Sequence, residues 1–337
     1  ASLRSVGFGK LMVEIVRKFK AATVVVIGDL IADEYVYGRV ARVSREAPVL
    51  ILEYDSTEVV PGGAGNAASN AAALGGQVRL VSLVGRDEPG RRVQRALPSR
   101  VDRRGLVRPA GFRTPVKTRI LAGGIHSAKQ QVVRIDRLSS RPITDAERAS
   151  VARAAHAAVR HADAVLISDY GSGLVTPALA RDLADRVRRR GIPVLVDSRY
   201  ALTRYRGLTA CAPNESEVEQ ALGVRIDDDL RVLERAGRRI LDRTRMSAVI
   251  VTRGSRGMAV FEPGKKTVHL PIFGSDQIAD VTGAGDTVMA TLTLALAAGA
   301  TVEEAARLAN VAGGLVVMKR GTATVGAAEL TRALRSA

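Results

Sequence analysis

Apolar residues fall along this chain in two patterns, and each predicts a different element. Compact β-branched runs at residues 23–27, 78–84, 164–168, 194–197 and 248–252 read as strands buried on both faces, and residues 257–261 extend the series. Residues 147–160 and 177–190 instead carry apolar positions at helical spacing, as does a shorter amphipathic stretch at 11–19. From residue 147 to 324 strand and helix alternate in the order that builds a parallel sheet covered by helices. Two segments break that rhythm. Residues 35–54 hold a strand at 49–52 behind Arg39, Arg42, Arg45 and Glu46, and residues 116–137 hold strands at 117–121 and 131–135 on either side of Gly123 and Gly124. Both read as hairpins leaving the main sheet. Together they predict a small β-lid, at about residues 34–56 and 112–137, over a site. No repeat or long linker divides the chain, so one domain over residues 1–337 is expected.

Two glycine turns place that site. Asp280-Val-Thr-Gly-Ala-Gly-Asp-Thr287 precedes the apolar run 288–298, which predicts a helix. Gly283, Ala284 and Gly285 then present bare amides at a helix start, where the partial positive charge of the terminus adds to their pull on an anion. Asp286 beside such a nest would repel a resting phosphate. It reads either as a carboxylate stabilising the helix terminus or as a base that accepts the proton of a hydroxyl attacking a phosphoryl group. We take it as the base. The second turn, Pro61 to Asn70, carries Gly62, Gly63, Gly65 and Asn66 into another helix. Gly63, Gly65 and Ala68 fit the dinucleotide pattern G-x-G-x-x-A, which keeps a nicotinamide oxidoreductase as a competing class. Its context is wrong: residues 58–60 form only a short strand closed by Pro61, and Asp87 lies beyond the next strand. Asn66 reads as a polar group offered to a ligand.

Polar groups also collect at strand ends. Asp29, Asp169, Asp197, Asn214 and Thr252 close predicted strands, which puts them along one edge of the sheet, facing the crevice of Asp286. Asp33 stands four residues past Asp29 and reads as a solvated loop acid or as an acceptor for two sugar hydroxyls. Asn214 and Glu217 open a helix; the pair fits a capping box or a Mg²⁺ site reached through water. The turn 252–257 lies along phosphates or is simply a hairpin turn. The Walker A pattern is absent, which excludes a P-loop nucleoside triphosphatase.

Composition narrows the class. With 46% hydrophobic residues in 337, the chain can bury a large core. It shows neither a membrane-length apolar run nor a signal-peptide layout, so the cytoplasm is the expected location and no membrane partner is expected. One cysteine, Cys211, excludes an internal disulfide framework, and four scattered histidines give no zinc spacing. The net charge of +17 raises a basic nucleic-acid-binding protein as a further alternative. Its arginines are dispersed, and 3% aromatics are too few for base stacking, so no specific nucleic-acid partner is expected.

The residues from Pro61 to Asn70, the Asn214-Glu-Ser-Glu217 stretch and Asp280 to Thr287, in that order, resemble the signatures of the PfkB, or ribokinase-like, carbohydrate kinases. Within it, residues 20–335 are most similar to the kinase domain of heptose-7-phosphate kinase / ADP-heptose synthase proteins. The stretches that carry this are Gly28-Asp29 through Arg42-Val-Ser-Arg-Glu-Ala-Pro48, residues 117–137, Ser168-Asp-Tyr170 and Thr322-Ala-Thr-Val325. The resemblance implies a three-layer α/β/α sandwich with a β-lid, a homodimer formed through that lid, and transfer of the ATP γ-phosphate to O1 of D-glycero-β-D-manno-heptose 7-phosphate. It implies Asp286 as base and Gly283, Ala284 and Gly285 as anion hole. Asp33, Gly62, Gly63 and Asn66 would hold sugar hydroxyls. Asn214 and Glu217 would serve Mg²⁺ and phosphate, Thr252, Arg253, Gly254 and Gly257 the nucleotide, and Asn310 the adenine. Asp280 and Thr282 would hold a monovalent cation such as K⁺. Two positions depart: relatives carry lysine where this chain has Ser172, and Asp-Pro-Lys where it has Asp197-Ser-Arg199. A phosphorylated sugar would still need cations, and Arg42, Lys117, Arg119, Arg134 and Arg199 are the candidates, with Arg134 assigned to the substrate. A PfkB kinase for another sugar or nucleoside stays open. The H-x-G-H motif of a nucleotidylyltransferase domain is absent, so only the kinase half is expected.

Overall fold

Strand β1 (Thr23–Gly28) is buried at every residue but Thr23, and its alternate side chains feed two separate cores. Val24 and Val26 point into one cluster, Val25 and Ile27 into the other, which is what a strand covered by helices on both faces must do. The computed structural model describes residues 3–123, 129–139, 141–274, 280–319 and 321–336. Gly124, expected in a lid turn, lies outside them.

In chain order the elements are α1 (Leu3–Lys18), β1, β2 (Leu30–Val43), β3 (Leu50–Gly63), α2 (Ala64–Ala73), β4 (Gln77–Leu83), α3 (Glu88–Ala96), β5 (Val101–Val107), β6 (Val116–Gly123) and β7 (Gln130–Arg137). Then follow α4 (Asp145–Ala158), β8 (Ala164–Asp169), α5 (Pro177–Arg188), β9 (Val194–Ser198), β10 (Ala210–Cys211), α6 (Glu215–Leu222), α7 (Leu230–Thr244), β11 (Ala248–Thr252), β12 (Met258–Phe261) and β13 (Val268–Leu270). Helices α8 (Ala284–Ala297), α9 (Val302–Val316) and α10 (Ala327–Ser336) complete the chain.

The main sheet runs β13-β12-β11-β10-β9-β8-β1-β4-β5, parallel from β5 through β11 and antiparallel in its last two pairs. Helices α1, α2, α8, α9 and α10 cover one face, and α4, α5, α6 and α7 the other. Helix α8 is buried nearly all round, so its hydroxyls cannot reach water; Thr291 and Thr293 instead donate to carbonyls one turn back, at 2.7 and 2.6 Å.

A second sheet, β3-β2-β6-β7, forms the lid. It is larger than the pattern predicts: β2 and β3 pair antiparallel from Leu30/Gly63 to Val43/Leu50, and β2 pairs parallel with β6. Residues 58–60 are therefore the end of a long lid strand that passes through Pro61, and the glycine turn leaves a hairpin rather than a parallel strand. That removes the βαβ context a dinucleotide fold requires. Side chains alternate across this sheet. Asp33, Tyr35, Lys117 and Arg119 share the face toward the main body, while Val36, Ile120, Val133 and Ile135 share the opposite one.

Candidate active site

Two buried carboxylates at strand ends build the wall of the site by holding the loop after β8. Asp29 accepts the N–H of Tyr170 at 2.8 Å and the hydroxyl of Ser172, and Asp169 accepts the N–H of Gly171 at 3.0 Å. Asp169 is itself held by the hydroxyls of Ser198 and Tyr205, at 2.8 and 2.7 Å. Burial pushes the Asp29 carboxyl above its ordinary range, and the bonds from Ser172 and Tyr170 oppose that push. Ser172 thus answers Asp29 with a neutral donor. The loop so fixed aims the Tyr170 hydroxyl at Asp286, 3.1 Å from one carboxylate oxygen and 3.3 Å from the other.

Asp286 lies in the first turn of α8 and is 4% exposed. Gly283 caps the helix at φ 76°, a left-handed conformation that glycine adopts without strain. From α2, the Asn66 side-chain nitrogen donates to Asp286 at 2.7 Å. Burial raises the Asp286 carboxyl to about 7; the donors Asn66 and Tyr170 hold it down, Asp33 pushes it up and Lys117 pulls it down. A carboxyl so poised near neutrality suits a general base. Among the described residues the N–H groups of Gly283, Gly285 and Asp286 meet no acceptor, whereas that of Ala284 is taken by the Val281 carbonyl at 3.2 Å. Of the three amides expected to form an anion hole, those of Gly283 and Gly285 are unengaged among the described residues, while the turn entering α8 uses the middle one.

Two cavities meet here. One of 390 Å³ is lined by Gly283, Gly285, Asp286, Asp197, Glu217, Asn214, Thr252, Gly254, Gly257 and Asn310. A second, of 580 Å³, lies under the lid, and Tyr170 and Arg199 line both. Asp197 was legible only as a strand-end acid. It stands half-buried without a hydrogen-bond donor among the described residues, and burial with the facing charges of Asp286, Glu217 and Asp169 drives its carboxyl well above the usual range. Burial raises Glu217 as well. Arg199 faces both from the same cavity, and the two carboxylates, as hard oxygen donors, fit a hydrated Mg²⁺ that also binds phosphates.

Other expectations need correction. Asn214 and Glu217 do form the capping box of α6, with bonds of 2.8 and 2.9 Å, so one oxygen of each is committed to the helix start. Arg253 faces away from the cavity and pairs with Glu215 at 2.8 Å in a nearly buried bridge, because the hairpin turn carries it to the flank of α6. Asn310 donates to the Pro271 carbonyl at 2.7 Å. Asp33, Gly62, Gly63 and Asn66 are buried and line neither cavity. Asp33 is bonded to Arg119 at 2.8 Å, and Asn66 is spent on Asp286. Arg134 lines the lid cavity together with Asp136, to which it is paired at 2.9 Å, whereas Arg42 lies on the exposed stretch of β2. Asp280 has each oxygen on an amide, from Thr282 at 2.8 Å and Gly321 at 2.9 Å, so it first of all ties two loops together. Lys117 and Arg199 line the lid cavity too; among the described residues neither side chain is hydrogen-bonded to an acid, and burial with the charge of Arg199 pushes the Lys117 ammonium below its ordinary range. Lys117 stands 5.3 Å over the ring of Tyr170.

Residues 21–328 match the model of the pfkB family carbohydrate kinases. The chain belongs to that family. Among its relatives are the bifunctional protein HldE of Geobacter sulfurreducens, 42% identical over 93% of this chain and 63% of its own length, and HldE of Caulobacter vibrioides, 40% identical over 95% and 65%. The chain thus spans under two thirds of the length of these relatives. As a PfkB kinase it is a phosphotransferase that acts on an alcohol group. Its fold is also that of Arabidopsis thaliana ribokinase, solved with ribose and ATP (TM-score 0.71, 21% identity, 93% of this chain and 98% of the other). Escherichia coli phosphofructokinase-2, solved with fructose-6-phosphate, superposes equally well (TM-score 0.72, 17% identity, 94% and 98%). This is the ribokinase-like α/β fold. No described helix is long and apolar enough to cross a membrane.

Proposed function

We propose that this chain transfers the γ-phosphoryl group of ATP to a hydroxyl of a phosphorylated sugar, and that the sugar is D-glycero-β-D-manno-heptose 7-phosphate, accepting at O1. The observation that carries the reaction is Asp286 on the wall of the 390 Å³ cavity, beside the unengaged amides of Gly283 and Gly285. The acceptor hydroxyl gives its proton to the Asp286 carboxylate as its oxygen bonds to phosphorus, and the amides hold the charge that gathers on the phosphoryl oxygens. Asp197 and Glu217 would hold Mg²⁺, which when bound would neutralise charge on the nucleotide phosphates. Thr252, Gly254, Gly257 and Asn310 line the same cavity and would receive the nucleoside end.

Lys117 and Arg199 support a phosphorylated acceptor, since they place two cations in the adjoining cavity with no acid among the described residues hydrogen-bonded to either. The family's HldE members support the heptose. The departures at Ser172 and Arg199 favour a second reading, a PfkB kinase for another sugar phosphate. A panel read by ADP release, with heptose 7-phosphate, fructose 6-phosphate, ribose and nucleosides as acceptors, separates them. Turnover of an unphosphorylated sugar in preference to all phosphorylated ones sinks the reading. A homodimer through the lid belongs to the same proposal, supported by Val133 and Ile135, each 48% exposed on its outer face. Light scattering of Ile135→Lys against the parent chain tests it; an unchanged mass of one protomer in both excludes it.

A further inference from the structure

Behind Asp286, away from both cavities, a chain of hydrogen bonds runs from the Thr287 hydroxyl through Asn70 and Asn66 to its carboxylate. All are buried, Asn66 to 2% exposure and the other two to 0%. The direction of the chain can be read from the one atom whose role is fixed. The backbone carbonyl of Asn66 only accepts, and Asn70 Nδ2 lies 3.0 Å from it, so the nitrogen end of the Asn70 amide faces back along α2. The same nitrogen is 3.0 Å from Asn66 Oδ1, which turns the nitrogen end of Asn66 toward Asp286. The oxygen end of Asn70 is left facing α8, where the Thr287 hydroxyl donates to it at 2.7 Å.

We infer that Asn70 and Thr287 are positioning residues that fix which end of the Asn66 amide meets Asp286, and so keep that carboxylate in its proton-accepting form. The two ends of a carboxamide have nearly the same shape, so packing alone does not choose between them; hydrogen-bond partners do. Rotated by half a turn, Asn66 would set an oxygen against the carboxylate. Only a protonated Asp286 tolerates that neighbour, and a protonated Asp286 accepts nothing from a hydroxyl. The other groups facing Asp286 do not substitute. Tyr170, from the loop after β8, and Lys117, from β6, favour its charge, while Asp33, from β2, and Asp197, from β9, oppose it.

The inference rests on Asp286 as the base, and its test has a readout that does not need turnover. Carbon-13 labelled aspartate carboxyls are titrated by NMR, with the Asp286 signal assigned by its loss in Asp286→Asn. In Asn70→Ala the midpoint moves up by roughly one pH unit, the worth of one hydrogen bond to a charged group. Thr287→Val, which keeps the side-chain shape, moves it the same way by less, and Thr287→Ser returns it to the native value. An unmoved midpoint in folded Asn70→Ala overturns the inference. Should that variant fail to fold, an unmoved midpoint in Thr287→Val overturns it. Turnover of Asp286→Asn is measured in parallel: near-normal turnover there removes the base reading itself, whereas lost turnover with unmoved midpoints removes only the relay.

Discussion

The hydroxyl of Tyr170 reaches the carboxylate of Asp286 at 3.1 Å, and Lys117 stands over the same ring at 5.3 Å. The phenol gives one side of the buried base a donor that cannot compete for the proton, because burial and the charge of Asp286 push the Tyr170 hydroxyl well above its ordinary range. With Asp286 at about 7, turnover is expected to fall below neutral pH as the base takes up a proton. Tyr170→Phe keeps the ring under Lys117 and removes only the donor. Its acid limb should move about one unit upward, an order of magnitude in turnover at mildly acid pH and little at high pH. A pH profile of turnover that superposes on the parent's contradicts the assignment.

Asp286→Asn separates chemistry from stability. Loss of the base should lower turnover by about two to four orders of magnitude while ATP binding persists. Stability should respond in the other direction. The carboxyl titrates near 3.8 when exposed and at about 7 in the folded chain, so between those values the folded state binds more protons than the unfolded one. Its contribution is complete below the lower value and is lost as pH rises through about 7. Asparagine does not titrate. The melting temperature of the variant relative to the parent should therefore climb from pH 5 to pH 8, and a difference independent of pH would show that Asp286 is not buried as described.

Lys117→Ala addresses the acceptor. If its ammonium holds a phosphate with Arg199, the KM for the phosphorylated sugar should rise about 10- to 100-fold, the range for a hydrogen bond between charged groups, while kcat/KM for the dephosphorylated sugar stays unchanged. Equal losses for both sugars would mean that Lys117 acts through Tyr170 instead.

What could be read from residues alone was what depends on neighbours in the chain. The buried β-branched runs became β1, β4, β8, β9 and β11, and the stretch from Asp280 became the start of α8. The partners of the polar groups were not legible. Asn66 meets Asp286 across 220 positions, and Asn66 looked available because only the fold supplies that carboxylate. Arg253 was read as a phosphate ligand for want of any sign that Glu215 would lie beside it. Asp33 and Arg119 close on one another only once β2 and β6 pair. Strand β10, of two residues, carried too short a pattern to register, and Asp197 registered only as an acid near a strand end, since the carboxylates that face it come from other elements.

Gly283 and Gly285 sit two residues apart and should fail in different ways. A Cβ on Gly283 would fall 2.5 Å from Asn66 Nδ2, on a residue whose φ is 76°. Gly283→Ala should therefore both strain the backbone and push Asn66 off Asp286, lowering the melting temperature and moving the acid limb upward together. A Cβ on Gly285 meets nothing within 4 Å and lies in a helix, so Gly285→Ala should fold at least as stably as the parent, by up to about 1 kcal/mol. Turnover of that variant should nevertheless fall, because the open space beside Gly285 is where a phosphoryl group must come to reach the amides. Differential scanning calorimetry and turnover on the same samples decide it. Unimpaired turnover in Gly285→Ala would mean that the transferred group passes elsewhere, whatever Asp286 does.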